Sequence, residues 1–263
     1  MFGSLWRNWK LILQMTRRDV LGRYRGSLMG LAWSFFNPLL MLAVYTFVFT
    51  VVFKARFGSA PATSRIQFAL VLFMGVIVHG LLAEGINRAP GLILGNANYV
   101  KKVVFPLEIL PWIVLGSSLF HATISLAILL LAKLLFADGI PPTALFLPLV
   151  LLPLVPVIMG FAWMLAATGV FIRDVAQVTG IFTTVLMFMA PVFYQLTSLP
   201  EPYRNWLYLN PLTFIIEQAR AVLFAGEMPN WIGLALYSGI GLLVAGAGFW
   251  WFQKTRKGFA DVV

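Results

Sequence analysis

Long uncharged stretches, each bounded by charged residues, constrain this chain more than any other feature of its sequence. The first runs from Gly26 to Phe53, 28 residues without a charge, directly after a segment that contains four arginines. A membrane-spanning helix needs about 20 apolar residues to cross the hydrocarbon core. Because 60% of all residues are hydrophobic and only 11% are charged, lipid must solvate much of the surface. The sequence therefore predicts an all-α integral membrane protein.

Six stretches are long enough to form transmembrane helices. The predicted spans cover about 30–53, 66–87, 109–135, 143–172, 176–196 and 231–253. Together they form one transmembrane domain, 26–253, which follows an N-terminal segment, 1–25, and precedes a short tail, 254–263. An even number of spans places both termini on the same side of the membrane.

The distribution of basic residues predicts which side carries the termini. If the N-terminus is cytoplasmic, 13 of the 19 Lys and Arg residues lie in cytoplasmic segments and the other six lie outside. Loops that stay in the cytoplasm are enriched in Lys and Arg. We therefore expect both termini, including the tail, to be cytoplasmic.

Two segments depart from plain spanning helices. In residues 1–25, apolar side chains recur at helical spacing opposite basic ones, which is typical of an amphipathic helix at the membrane interface. In the outer segment 198–229, Asn210-Pro211 interrupts an apolar stretch that also contains Glu217 and Arg220. Broken backbone is tolerated at membrane depth only where protein or water surrounds it. We expect a pair of re-entrant helices before the last span.

Motifs for chemistry within the chain are absent from the sequence. It has no GxxxxGK[ST] phosphate-binding loop and no cysteine, and His79 and His121 stand apart within apolar spans. We therefore expect no catalytic residue, metal or cofactor in this chain, and we expect both histidines to be hydrogen-bonded packing residues. Any ATP-driven work would need a separate subunit. Two carboxylates near span ends, those of Glu84 and Glu108, are expected to pair with Arg88, Lys101 or Lys102.

Aromatic side chains are aligned on the first and fifth spans. On the first span, Tyr45, Phe49 and Phe53 follow at four-residue intervals. On the fifth span, Phe182 and Phe193 share one helix face with Met189. Most such stripes are packing contacts or interfacial belts. Flat amphipathic rings can also stack on the apolar faces of sugars. The sequence alone leaves both interpretations open.

Four motifs, in order along nearly the whole chain, resemble the ABC-2 type permeases of polysaccharide export. They are the basic stretch RRDVLGRYRGSLMGLAWSFFNPLLMLAVYTFVF, the loop KKVVFPLEILP, the turn FIRDV and the outer segment PVFYQLTSLPEPYRNWLYLNPLTFIIEQAR. The similarity is greatest to the O-antigen export permeases, with capsule and teichoic-acid permeases as relatives.

This resemblance implies a permease subunit that moves undecaprenyl-diphosphate-linked polysaccharide across the bacterial inner membrane. Two copies of the chain would pair with two ABC ATPase subunits, which would bind ATP and Mg²⁺, and no nucleic acid is involved. An exporter of drugs or small lipids is one alternative. A membrane-embedded sugar transferase is another, although the nine acidic residues lie mostly in loops.

The resemblance also implies roles for individual residues. The substrate channel would be lined by Tyr45, Phe49, Phe53, Phe182, Met189 and Phe193. The outer gate would contain Tyr203, Trp206, Tyr208, Asn210 and Pro211. The ATPase would dock on Asn96, Asn98, Tyr99, Lys101 and Lys102. A diphosphate entrance would use Arg23 and Arg25, although a simple membrane anchor explains these two arginines equally well.

Overall fold

The computed structural model describes residues 2–48, 65–101, 105–196 and 200–262, where all regular structure is helical. Phe49, Phe53, Lys102 and most of the loop 54–65 lie outside the described residues. The helices are α1 Phe2–Arg7, α2 Trp9–Arg23, α3 Trp33–Phe47, α4 Arg65–Arg88, α5 Ala97–Lys101, α6 Leu110–Phe136, α7 Leu147–Leu151, α8 Leu154–Phe171, α9 Val175–Phe188, α10 Glu201–Leu207, α11 Pro211–Arg220, α12 Trp231–Thr255 and α13 Phe259–Val262.

Helical stretches of membrane-spanning length account for most of the described chain. Five of them are long and apolar enough to cross a membrane: Gly30–Phe47, Ile66–Arg88, Leu107–Phe136, Pro142–Phe171 and Trp231–Gly258. They overlap five of the six predicted spans. The remaining predicted span, 176–196, corresponds to α9, which has 14 residues and ends at Phe188. At about 1.5 Å per residue such a helix is roughly 21 Å long, shorter than a hydrocarbon core of about 30 Å.

Helix α4 forms the centre of the bundle. It packs against α3, α6, α8, α9 and α11, and many of its side chains are almost completely buried, among them Leu70, Met74, Leu82 and Ile86. A helix that is apolar on nearly every side must be covered by other helices or by lipid. The spanning helices α3, α6 and α8 therefore pack around α4, whereas α12 packs on α8.

The tightest helix crossing joins α8 and α12. A Cβ atom on Gly248 of α12 would overlap the backbone carbonyl of Gly160 in α8. Small residues let helix backbones approach closely in membranes, where van der Waals packing drives association. These two glycines therefore fix the last spanning helix on α8.

Both termini lie at one end of the bundle. The Ser4 hydroxyl donates a hydrogen bond to one carboxylate oxygen of Glu108 at 3.1 Å, and the Arg256 guanidinium donates to the other at 2.9 Å. We call this end the proximal end and the opposite end the distal end. Glu108 thus pairs with Arg256 rather than with Lys101, because α12 returns to the start of α6 and brings Arg256 beside it.

The segment that contains α10 and α11 is joined to α9 and α12 by hydrogen bonds. The Asn210 side chain accepts a hydrogen bond from the Leu212 amide at 3.0 Å, which caps α11, and it donates to the Leu186 carbonyl in α9 at 2.8 Å. The Tyr237 hydroxyl in the second turn of α12 donates to the Pro211 carbonyl at 2.7 Å. The break between α10 and α11 is therefore buried against the protein, whereas the re-entrant path through the membrane stays a prediction.

Candidate functional site

Helices α3 and α9 both pack on α4, on different sides, and leave a broad surface between them uncovered. Helix α3 packs on α4 and α6, whereas α9 packs on α4 and α8. Between them α4 presents the half-buried Val76 and the exposed residues Gly80 and Asn87. We call this strip of α4, together with the exposed side chains of α3 and α9, the open face.

Hydrogen bonds from α4 hold α9 in one rotation about its axis. The His79 Nε2 atom lies 2.9 Å from the Thr183 carbonyl oxygen, to which it must donate. The Asn87 amide donates to the Thr183 hydroxyl at 3.1 Å. His79 is therefore a hydrogen-bonded packing histidine, as predicted, and Thr183 marks the stripe of α9 that faces α4.

This rotation divides the rest of α9 into two flanks. The Phe182 ring lies 6.4 Å from the Phe161 ring of α8, so its flank, which also carries Met189, faces α8. Because successive helix residues turn by about 100°, the other flank borders the strip of α4. Its exposed side chains are Gln177, Thr184 and Phe188.

None of these three residues of the second flank was predicted from the sequence. The predicted channel residues are mostly aromatic, whereas two of these three side chains are polar. Their spacing of seven and four residues, 177, 184 and 188, does follow one helix face, so helical periodicity could have found them. Phe188 also contacts the predicted channel residue Phe193, with ring centroids 5.8 Å apart.

On α3, the predicted channel residue Tyr45 is half-buried and packs against the core. Asn37, about two turns before Tyr45 on the same helix, is exposed. The open face therefore carries amide and hydroxyl groups on all three helices. Such groups are unfavourable in contact with lipid hydrocarbon, so the part of the open face that carries them suits water or another protein surface. Most of the other exposed side chains of α3 and α9 are apolar, among them Leu39, Leu40 and Ile181.

Charged side chains converge where the end of α2 meets α4 and α6. The Arg88 guanidinium forms two hydrogen bonds with the Asp19 carboxylate, at 2.7 and 2.9 Å. Glu84 pairs with Arg23 and, at 3.4 Å, with Arg88 as predicted. Burial would raise the pKa of Asp19, but hydrogen bonding and the charge of Arg88 outweigh it, so that pKa lies below its ordinary value.

His121 completes this cluster. Its Nδ1 atom lies 3.2 Å from an Arg23 nitrogen and its Nε2 atom 3.1 Å from the Tyr24 hydroxyl. The same Nδ1 atom lies 3.5 Å from a Glu84 carboxylate oxygen, so the neutral ring accepts from the guanidinium when its proton is on Nε2 and donates to the carboxylate when its proton is on Nδ1. His121 is hydrogen-bonded as predicted, but its neighbours are charged. Of the two predicted entrance arginines, Arg23 is therefore engaged within the protein, whereas Arg25 is exposed.

The predicted outer-gate residues divide into exposed rings and buried backbone supports. Tyr203, Trp206 and Tyr208 are 64%, 69% and 52% exposed. Asn210 is buried and Pro211 begins α11, so these two residues hold the break in place.

The predicted docking residues lie in and beside α5 at the proximal end. Asn98 and Lys101 are exposed, whereas the Asn96 side chain donates to the Leu92 carbonyl at 2.8 Å. The Tyr99 ring stacks on Phe105 with centroids 4.4 Å apart, and its hydroxyl accepts a hydrogen bond from Arg18 at 3.0 Å. Tyr99 thus ties this loop to α2, and the exposed residues remain available to a partner.

Comparison with known proteins finds one matching family and several relatives of similar length. The ABC-2 type transporter family matches residues 10–224. The O-antigen export system permease protein RfbA of Myxococcus xanthus is 24% identical over 255 residues, which cover 96% of this chain and 95% of the relative. An RfbA of Klebsiella pneumoniae is 24% identical over 259 residues, with the same coverage. The polysialic acid transport protein KpsM of Escherichia coli is 23% identical over 222 residues, 82% of each chain.

Proposed function

The chain belongs to the ABC-2 type transporter family, and we propose that it is the membrane-spanning permease subunit of an ATP-driven polysaccharide exporter. The observation that carries this proposal is the end-to-end similarity to permeases whose names specify O-antigen export. The cargo is an O-antigen type polysaccharide on an undecaprenyl diphosphate carrier. The relative named for polysialic acid transport makes a capsule polysaccharide the second candidate.

The open face supports this assignment. Its exposed polar groups, Asn37, Asn87, Gln177 and Thr184, suit a hydrated path for sugar hydroxyls better than a lipid boundary. A second copy of the chain that presents the same surface across a twofold axis would enclose that path between the two copies. In that arrangement Phe188 and Tyr45 supply aromatic surface beside the polar groups, as sugar rings require.

The proximal end supports an ATPase partner. No phosphate-binding loop occurs in the sequence, so two separate ATPase subunits bind ATP and dock on the exposed residues of the α5 loop. On this assignment the proximal end faces the cytoplasm of a bacterial inner-membrane protein, and the rings of α10 lie at the outer mouth of the path.

Deletion of the gene tests the proposal. The deletion strain should lose surface polysaccharide and accumulate the lipid-linked polymer inside the cell, and the wild-type chain should restore export. Normal surface polymer in the deletion strain would refute the function, and loss of the polymer from both compartments would indicate a synthetic enzyme instead.

A further inference from the structure

A recess lies beneath α3, in the wall of the open face. It has a volume of about 260 Å³ and lies between the end of α2 and helices α3, α4 and α6. Its lining includes Asn37 and Gly80, which are exposed residues of the open face. The recess therefore opens onto the surface that we assign to the polysaccharide.

The polar part of the recess presents hydrogen-bond acceptors. The hydroxyls of Ser34, Ser118 and Ser125 each donate to a backbone carbonyl of their own segment, at 2.6, 3.0 and 3.0 Å. A hydroxyl has one hydrogen and two lone pairs, so each serine keeps acceptor capacity. A ligand that complements the three serines must bring donors, whereas the Asn37 amide in the same recess can both donate and accept.

The charges in the recess cancel. The carboxylate of Glu84 is paired with Arg23 and Arg88, and Arg88 is in turn paired with Asp19. An anion in the recess would meet the Glu84 carboxylate, and a cation would meet the Arg23 guanidinium, so either would lose part of its favourable interaction. The charge balance favours a neutral ligand.

The remaining wall is apolar. Met41, Phe73 and Ile77 line it, on the α3 and α4 sides. A ligand that fits both walls has a hydroxylated edge and an apolar face, which is the character of a sugar ring.

We propose that this recess binds one neutral sugar residue of the polysaccharide. Its hydroxyls donate to the serine oxygens, and its apolar face lies against the wall formed by Met41, Phe73 and Ile77. The proposal rests on the proposed function, because it takes the ligand to be part of the exported polymer. It adds a specific binding site beside the path, where a sugar is held by hydrogen bonds as well as by aromatic contact.

Gly80 provides a direct test. A Cβ atom at Gly80 would meet nothing within 4 Å, so the backbone there accepts a side chain, and Gly80→Leu should narrow the mouth of the recess. Gly246→Leu on α12 is the matched control, because Gly246 also has open space around it and is exposed away from the recess. Ser34→Ala is a second variant that removes one acceptor and adds no bulk.

Binding is measured by saturation-transfer NMR on the purified chain in nanodiscs, with methyl glycosides of glucose, galactose, mannose and rhamnose as probes. We expect binding of at least one glycoside to the wild type and to Gly246→Leu. Gly80→Leu and Ser34→Ala should weaken it roughly threefold to tenfold, the equivalent of losing about one hydrogen bond. Equal binding by Gly80→Leu and wild type, or no binding by wild type, would overturn the proposal.

Export in the deletion strain separates the two claims. If wild type restores surface polysaccharide but the glycosides do not distinguish Gly80→Leu from wild type, the recess proposal fails and the permease function stands. If wild type restores no export, the permease function itself fails, whatever the glycosides show.

Discussion

The Arg220 side chain donates hydrogen bonds to backbone carbonyls, two of which lie just beyond the end of the short helix α9. Its guanidinium donates to the carbonyls of Pro191, Val192 and Val71 at 2.5, 2.9 and 3.2 Å. Pro191 and Val192 follow the end of α9 directly, where carbonyls no longer have helical partners. An arginine has enough donors for all three. Arg220 therefore stabilises the backbone directly after the C-terminal end of α9, and it links α11 to α4.

Replacement of Arg220 by Met should destabilise the protein by roughly 3 kcal/mol, because three buried carbonyls would lose their donor. The measurement is unfolding of the purified protein in mixed micelles. Arg173→Met, in the exposed turn between α8 and α9, is the control and should change stability little. Equal stabilities of the two variants would contradict the assigned role of Arg220.

Arg23 illustrates what the sequence could not predict at this scale. Its position before the first span suggested an entrance for a diphosphate, and its charge was plain. Its partner Glu84 is 61 positions away, and His121 is 98 positions away. Only the packing of α2 against α4 and α6 brings them together, so no local pattern could reveal the pairing.

At the scale of helices, hydropathy was sufficient for the long spans and insufficient for α9. Apolar residues continue beyond Phe188, and the sequence therefore predicted a span that ends near 196. The helix ends earlier because Pro191 cannot donate to it and because Arg220 binds the carbonyls that follow. The break between α10 and α11 was predictable, since Asn210-Pro211 carries a local signal: an asparagine cap followed by proline in the first turn of a helix.

The contact of α2 with α6 is a second helix-scale feature, and it depends on Gly116. A Cβ atom at Gly116 would lie 2.7 Å from the Thr16 hydroxyl oxygen, closer than side chains pack. Gly116→Ala should therefore loosen α2, with faster amide hydrogen exchange or proteolysis within residues 9–23. Thr16→Ala in the same chain should restore protection, because it removes the atoms in conflict.

The control for this pair is Gly22→Ala, since Gly22 lies on α2 and a Cβ atom there would meet nothing within 4 Å. It should leave protection of α2 unchanged or slightly improved. If Gly116→Ala protects α2 as well as wild type does, the close approach of the two helices does not hold α2 in place.

At the scale of the whole molecule, the described residues bring the two ends of the chain together at the proximal end and leave the open face without a covering helix. Ser4 and Arg256 meet on Glu108 at the proximal end, where Asn98 and Lys101 of the α5 loop are exposed. Lys101→Glu should weaken co-purification of the proposed ATPase partner, because it reverses an exposed charge on the proposed docking surface. Arg204→Glu on the distal α10 should not, and equal loss in both variants would argue against docking at α5.

Reconstituted transport tests the central claim, that this chain forms the membrane path of an ATP-driven polysaccharide exporter. Proteoliposomes that contain the chain and its ATPase should move lipid-linked polysaccharide to the opposite leaflet when ATP is supplied, and vesicles that lack either subunit should not. Transfer in ATPase-only vesicles at the same rate, or no ATP-dependent transfer by the assembled complex, would contradict the account.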